Sequence, residues 1–321
     1  MNFLQIIVLM LPIIIPVVAG YFLVQVKIFT RETGDALMKY ILYATFPALI
    51  LVNLSSDNVL ILLKQNFSVA TVIAIISMYV VTFFLYLFFF KGDKKDAAVA
   101  ALTTSFVSAG IVGLPVMANI IGLKDTVVPV IVNTVISLLT VVPITIFIIK
   151  TQEKEKKINV LHTIGSTLWD TVKNPLVASA LLGLLLISLH IPLPFWLKES
   201  LEKIGDATFA SALFAVGIGI DLKMLKNNFT EIFVISFLRM VVFTALGILL
   251  ALYFKLSPPL AVAFVMIFSL PGAKSIPPIA QEYHTYTKQS IQIITLSTLM
   301  TIITMPVVLL ICKNLWPGII H

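Results

Sequence analysis

Apolar positions run through this chain in long, continuous stretches separated by short polar turns. That is neither the alternation of a half-buried strand nor the one-sided stripe of a soluble amphipathic helix. Ten stretches are predicted to be helices, at 3–26, 36–54, 67–90, 97–121, 126–149, 174–191, 200–220, 229–254, 259–283 and 288–312. Crossing about 30 Å of hydrocarbon takes ~20 helical residues, and most of these stretches reach that length. A ten-strand barrel is excluded because the runs do not alternate. The expected fold is an all-α integral membrane protein with ten transmembrane helices.

Two of the ten stretches carry helix breakers at matching places. One holds Phe106, Ser108, Gly110, Gly113, Pro115 and Asn119; the other holds Phe264, Ser269, Pro271, Gly272, Lys274, Ser275, Pro277 and Pro278. A bilayer offers backbone groups no water, so a helix breaks there only where protein or a water-filled cavity satisfies the freed amides. Pro115 and Pro271 each lack an amide donor and crowd the preceding turn. Gly110, Gly113 and Gly272 let the chain unwind and approach a neighbour closely. The five are read as crossover or hinge positions. If the segments cross near the midplane, four half-helix ends converge, and their N-termini suit an anion. Matched breaks in two halves point to the binding site of a secondary transporter.

The one long polar connector, 150–173, leaves five stretches on either side. An odd number per half forces the halves into opposite orientations, which is an inverted repeat. The predicted organisation is a first repeat at 1–149, a cytoplasmic connector at 150–173 and a second repeat at 174–321. A faint echo supports duplication: Pro12, Gly20, Ile28 and Ala44-Thr45-Phe46 fall on Pro175, Gly183, Ile191 and Ala207-Thr208-Phe209 at one common offset. Pro115 falls on Pro271 only at a different offset.

Composition strengthens the membrane reading. The 321 residues are 59% hydrophobic and 12% charged, with mean hydropathy +1.06, whereas soluble domains carry roughly 25% charged residues. A net charge of +7 could suggest nucleic acid, but its placement argues otherwise. Lys27, Arg31, Lys91, Lys94, Lys95, Lys150, Lys154, Lys156, Lys157, Lys173, Lys223, Lys226 and Lys288 fall in the odd-numbered loops. Only Lys64, Lys124, Lys198, Lys203, Lys255 and Lys313 fall in the even ones and at the C-terminus. The positive-inside rule then puts the odd loops in the cytoplasm and both termini outside. The expected location is the cell (inner or plasma) membrane, multi-pass. The first stretch lacks a basic leader and a small-residue cleavage site, so it reads as a span. The single Cys312 forms no intrachain disulfide.

Lys274 is the most telling side chain. It lies inside the ninth stretch, and a charge at the centre of a bilayer costs at least ~3 kcal/mol unless it faces a cavity or partner. Either it contacts a substrate carboxylate or takes the place of a coupling cation, or it pairs with a carboxylate of another span or snorkels. Ser108, Asn119, Asn133 and Ser275 are the accompanying substrate-binding candidates. Glu282 and His284 are candidates for proton coupling, and Arg239 is expected to pair or snorkel. No Gly-x-x-x-x-Gly-Lys, His-Glu-x-x-His or Cys-x-x-Cys spacing occurs, so neither an enzyme nor a metal site is expected.

The segment Phe106-x-Ser108-x-Gly110-x-x-Gly113-Leu114-Pro115 resembles the auxin efflux carrier family, which contains plant PIN-type carriers and bacterial malate and malonate permeases. Phe46-Pro47, Leu270-Pro271, Ala280-x-x-Tyr283, Ser297-Thr298-Leu299 and Thr304-Met305-Pro306 extend the likeness over essentially the whole chain. Ser108 departs from the pattern, which usually has Asn there. The short connector looks like the bacterial branch. The resemblance implies a fold shared broadly with bile-acid and sodium/proton transporters. Spans 1, 2, 6 and 7 would be a scaffold and spans 3–5 and 8–10 a mobile transport domain in an elevator. It also implies a small organic anion as substrate, such as malate or malonate, with auxin-like acids next. No cofactor is expected, and coupling to H⁺ or Na⁺ stays open. Expected partners are the anion and the lipid bilayer, with no nucleic acid and with a homodimer left open. A cation–proton antiporter on the same fold and a non-transporting membrane sensor are the alternatives.

Overall fold

Where the helices start and stop follows from local chemistry. In a computed structural model the described residues are 3–53, 66–152, 175–189, 191–222 and 228–319, with single positions between 165 and 173. Helix α1 covers Phe3–Gln25. Thr30 then starts α2 (Arg31–Asn53), since its hydroxyl accepts from the Thr33 amide while the Thr33 hydroxyl accepts from its own. This reciprocal cap satisfies two first-turn donors and begins the helix five residues before the predicted 36. Within α2 the turn Ile41–Thr45 widens to π spacing. Pro47 follows it, and a residue without an N–H favours such a local re-pairing.

Helix α3 runs Asn66–Phe90, and α4, capped by Asp93, runs Lys94–Ser105. Helix α5 covers Ala109–Ile121. Helix α6, Leu123–Thr151, is offset at Thr140, where Pro143 withholds the donor one turn later. The second half comprises α7 (Pro175–Ser188), α8 (Phe195–Ile218), α9 (Phe229–Tyr253), α10 (Pro258–Phe268), α11 (Ile276–Glu282) and α12 (Thr287–Leu315). Among the described residues there is no strand, and α2, α3, α6, α9 and α12 are long and apolar enough to cross a membrane. The predicted connector at 150–173 lies almost wholly outside the described residues, as do Lys64, Lys223 and Lys226.

The packing leaves large apolar side chains on the outside and sets Ser and Thr hydroxyls among an apolar core. Phe88, Phe195, Trp196 and Tyr253, near helix ends, are each more than two-thirds exposed, which suits lipid and its interfaces rather than water. Inside, Thr71, Thr104, Thr145 and Ser137 are fully buried. Their hydroxyls bond carbonyls of the preceding turn in their own helices, which satisfies these four buried donors locally. Helices α1 and α8 touch backbone to backbone. A Cβ on Gly20 would stand 2.2 Å from the Phe214 carbonyl oxygen, and one on Gly217 2.0 Å from that of Val17. Small residues at a helix seam permit this approach where no hydrophobic force drives association.

The breaks in the fourth and ninth stretches are present but differ from the sequence reading in position. The fourth breaks at Phe106–Ser108, while Pro115 sits within the first two positions of the regular part of α5, where a missing N–H costs nothing. In the ninth, Pro271 lies within the interrupted stretch between α10 and α11. The two prolines are therefore not equivalent.

Candidate functional site

The interrupted stretches meet each other. Val107 and Gly272 form an antiparallel pair, in which the Ser108 amide donates to the Pro271 carbonyl and the Ala273 amide to that of Phe106, both at 2.9 Å. Each break thus satisfies the backbone groups that the other leaves free, which the interior of a membrane protein demands. Residues Val107 and Gly272, 165 apart, are the positions that oppose each other. Gly272 makes the crossing close: a Cβ there would lie 2.8 Å from the Thr103 carbonyl oxygen. At Gly113 the nearest atom would be Leu270 Cδ1, at 2.4 Å. Both glycines serve the close approach expected of them, while Gly110 lines the cavity beside the crossing.

That cavity encloses about 790 Å³ between α2, the end of α8, α12 and the crossing segments. Its walls are mostly apolar, with Leu42, Phe46, Ile111, Val216, Ile220 and Ile294 among them. Lys274 enters from the crossing. Its amine stands 3.5 Å from the carbonyl oxygen of Ala215, in the last turn of α8, where the negative end of the helix dipole favours a cation. Among the described residues no carboxylate lies at ion-pair distance. Asp35, also on the cavity wall, is the acid whose charge reaches it.

Ser108 is 4% exposed, yet among the described residues its hydroxyl meets no partner. Ala109, Gly110 and Ile111, the first turn of α5, line the cavity, and first-turn amides have no acceptor within their own helix. The hydroxyl protons of Thr134 and Thr298 are already spent on Val130 and Ile294. The free groups nearest the crossing are therefore donors: an amine, a hydroxyl and helix-start amides. Such a set has the chemistry to hold an anion. At the rim, Arg31 is ion-paired with Asp221, and Lys39 lines the wall.

The structure brings together only part of the predicted set. Lys274, Ser108, Ser275 and Gly110 share the cavity wall. Asn133 does not: it is 1% exposed and neither end of its amide has a partner among the described residues, while its neighbour Thr134 faces the cavity. Asn119 is exposed near the end of α5, away from the cavity, and Glu282 and His284 are exposed as well. Arg239, expected to pair or snorkel, instead has no exposed surface.

Sequence reasoning passed over Asp35 and Asp221, and it also missed a second polar cluster. The Thr285 hydroxyl donates to Asp96, and the Tyr286 phenol donates to Glu231. These bonds tie the turn between α11 and α12 to the starts of α4 and α9. Burial and the neighbouring Asp93 hold the Asp96 carboxyl above its usual range, against the opposing effect of the Thr285 bond. Burial first, then the Glu231 charge, raises the Tyr286 phenol. The only available signal was the string of polar residues ending the predicted ninth span. Among the described residues no three His, Cys, Asp or Glu side chains gather where they could hold a metal.

Comparison with known proteins agrees with this architecture. The profile of a family described as "Membrane transport protein" matches residues 5–309, in line with the resemblance to auxin efflux carriers. The chain is 24% identical over 304 residues to "Uncharacterized transporter YfdV" of Escherichia coli (strain K12), covering 92% of this chain and 94% of that protein. The proteins of the same description from Escherichia coli O157:H7 and Shigella flexneri match equally.

Proposed function

The chain belongs to the membrane transport protein family, and from that premise we propose that it is a secondary active transporter of small organic anions. The observation that carries this reading is the meeting of Lys274, the unpartnered Ser108 hydroxyl and the first turn of α5 in one cavity beside the crossing. Anions are favoured because the free groups at the crossing end of the cavity, an amine, a hydroxyl and first-turn amides, can all donate, while the Asp35 carboxylate lies on α2. One amine serves one carboxylate, and the apolar walls suit a body with little polarity. Mono- or dicarboxylates such as malate or malonate, and auxin-like acids, are the classes to test.

The reading includes ten spans in two inverted repeats, of which the crossing pair is the seam. Spans 1, 2, 6 and 7, here α1, α2, α7 and α8, act as the scaffold. The elements from α3 to α6 and from α9 to α12 act as the transport domain, whose elevator-type movement exposes the site alternately to each side. With the odd loops in the cytoplasm and both termini outside, the rim residues Arg31 and Asp221 put the cavity mouth on the cytoplasmic side. This state is therefore inward-open.

Uptake of labelled malate, malonate and indole-3-acetate into proteoliposomes under imposed pH and sodium gradients tests the proposal. Gradient-driven uptake of one acid, lost in Lys274→Ala, is the expected result; folded wild-type protein that moves none of them defeats it. A second reading, cation–proton exchange, is favoured by one feature only, the carboxylate of Asp35 within reach of Lys274 on the same wall. Proton flux driven by a cation gradient and abolished in Asp35→Asn would select it.

A further inference from the structure

Arg239 is fully buried in the wide turn Leu238–Val242 of α9, and among the described residues no carboxylate pairs with it. Its Nη1 donates instead, at 2.9 Å, to the carbonyl oxygen of Phe268, the last residue of α10. The Thr244 hydroxyl donates to the same oxygen at 3.2 Å. The guanidinium carbon lies 4.7 Å from the centre of the Phe243 ring. Among the described residues its Nε and Nη2 meet no acceptor.

A guanidinium keeps its charge even when buried. The end of α10 supplies what a cation seeks: the negative end of a helix dipole and carbonyls left without donors in their own helix. In carriers with broken helices, such half-helix C-terminal ends are where a coupling Na⁺ or H⁺ is held. Here the chain provides the cation itself. We infer that Arg239 is a built-in cation occupying the place of a coupling metal ion at the end of α10, so that no Na⁺ binds there.

Two features make this more than an ordinary helix cap. The guanidinium's single positive charge is balanced by no carboxylate among the described residues. A second monovalent cation about 4 Å away would then be disfavoured roughly a thousandfold at the effective dielectric of such sites. Arg239 also lies outside the cavity wall, so the assignment does not depend on which anion is carried, and it uses the transporter reading only for its consequence. Any coupling at this end of the crossing would then be to protons or absent.

The test is thermal unfolding of the purified full-length protein in sodium chloride, lithium chloride and choline chloride at matched ionic strength. Wild type is expected to unfold at the same midpoint in all three. Arg239→Met removes the charge and leaves the Phe268 carbonyl only its Thr244 donor. It should unfold at a lower midpoint and gain a rise specific to sodium or lithium. A saturable, sodium-specific rise in wild type would overturn the inference, and so would a folded Arg239→Met protein with no cation response. If the methionine variant does not fold, Arg239→Lys replaces it: it keeps the fixed charge, so indifference to sodium supports the assignment and a sodium response refutes it. None of these results bears on the uptake assay, so this inference and the transporter reading fail separately.

Discussion

The amine of Lys274 stands 3.5 Å from the carbonyl oxygen of Ala215, so one charged group already joins the crossing segment to the end of α8. In the proposed carrier this contact links the moving element to the fixed one. An anion arriving at Lys274 competes with a helix terminus for the same amine, and both partners are negative.

Removing that amine should abolish anion binding and leave the fold intact. A charge-assisted hydrogen bond is worth about 1.5–3 kcal/mol, roughly ten- to a hundredfold in affinity. Lys274→Ala, monodisperse and thermally stable in detergent, should lose binding by at least that margin in a direct binding assay. Unchanged affinity in the folded variant would rule the assignment out.

Gly219 sets where the amine rests. A Cβ there would stand 2.9 Å from Lys274 Nζ, and the far end of a lysine can move aside. Gly219→Ala should therefore leave the unfolding midpoint nearly unchanged while altering the apparent affinity for the anion, by up to about tenfold. A large loss of stability with unaltered affinity would mean that the glycine serves packing alone.

Gly272 behaves differently because its neighbour is backbone. Its Cβ would meet the Thr103 carbonyl oxygen at 2.8 Å, and that oxygen cannot rotate away. Gly272→Ala should destabilise by about 1–3 kcal/mol, the range of an overpacked core, and loosen the paired bonds at Ser108 and Ala273. Thermal unfolding in detergent reads this directly, and an unshifted midpoint would contradict the close crossing.

Asp96 predicts a pH dependence. Its carboxyl is raised above the ordinary value, so the folded state holds the proton more tightly than the unfolded one. The stability this contributes is complete below the unfolded value of about 4 and is lost as pH rises through the folded value. Asp96→Asn can still accept from Thr285 and does not ionise. Its midpoint relative to wild type should climb as pH rises from about 4 toward neutrality, then level off. A constant difference across that range would remove Asp96 as the cause.

The rim pair of Arg31 and Asp221 should matter little for stability. Arg31 is half exposed, and exposed ion pairs are worth about 0–1 kcal/mol. Arg31→Ala should shift the midpoint by no more than that and lose any effect in high salt. A shift of several kcal/mol would mean that the pair closes the cavity mouth.

Much of this protein could be read from its residues alone. Continuous apolar runs dictate helices, because in hydrocarbon every backbone group must be paired within its own segment. That reasoning located the helices, their two interruptions and Lys274 as the charge without an obvious partner. It could not say that Pro115 starts a helix while Pro271 lies in a crossing segment, since a proline reports a missing donor and not where the chain re-pairs. Nor could it find Asp35, the Phe268 carbonyl under Arg239, or the bonds from Thr285 and Tyr286 to Asp96 and Glu231. Those partners lie 29 to 239 residues away along the chain. Local sequence determined which segments are helical and which two of them are interrupted; only tertiary packing decided where each break falls and what each freed amide and each buried charge would face.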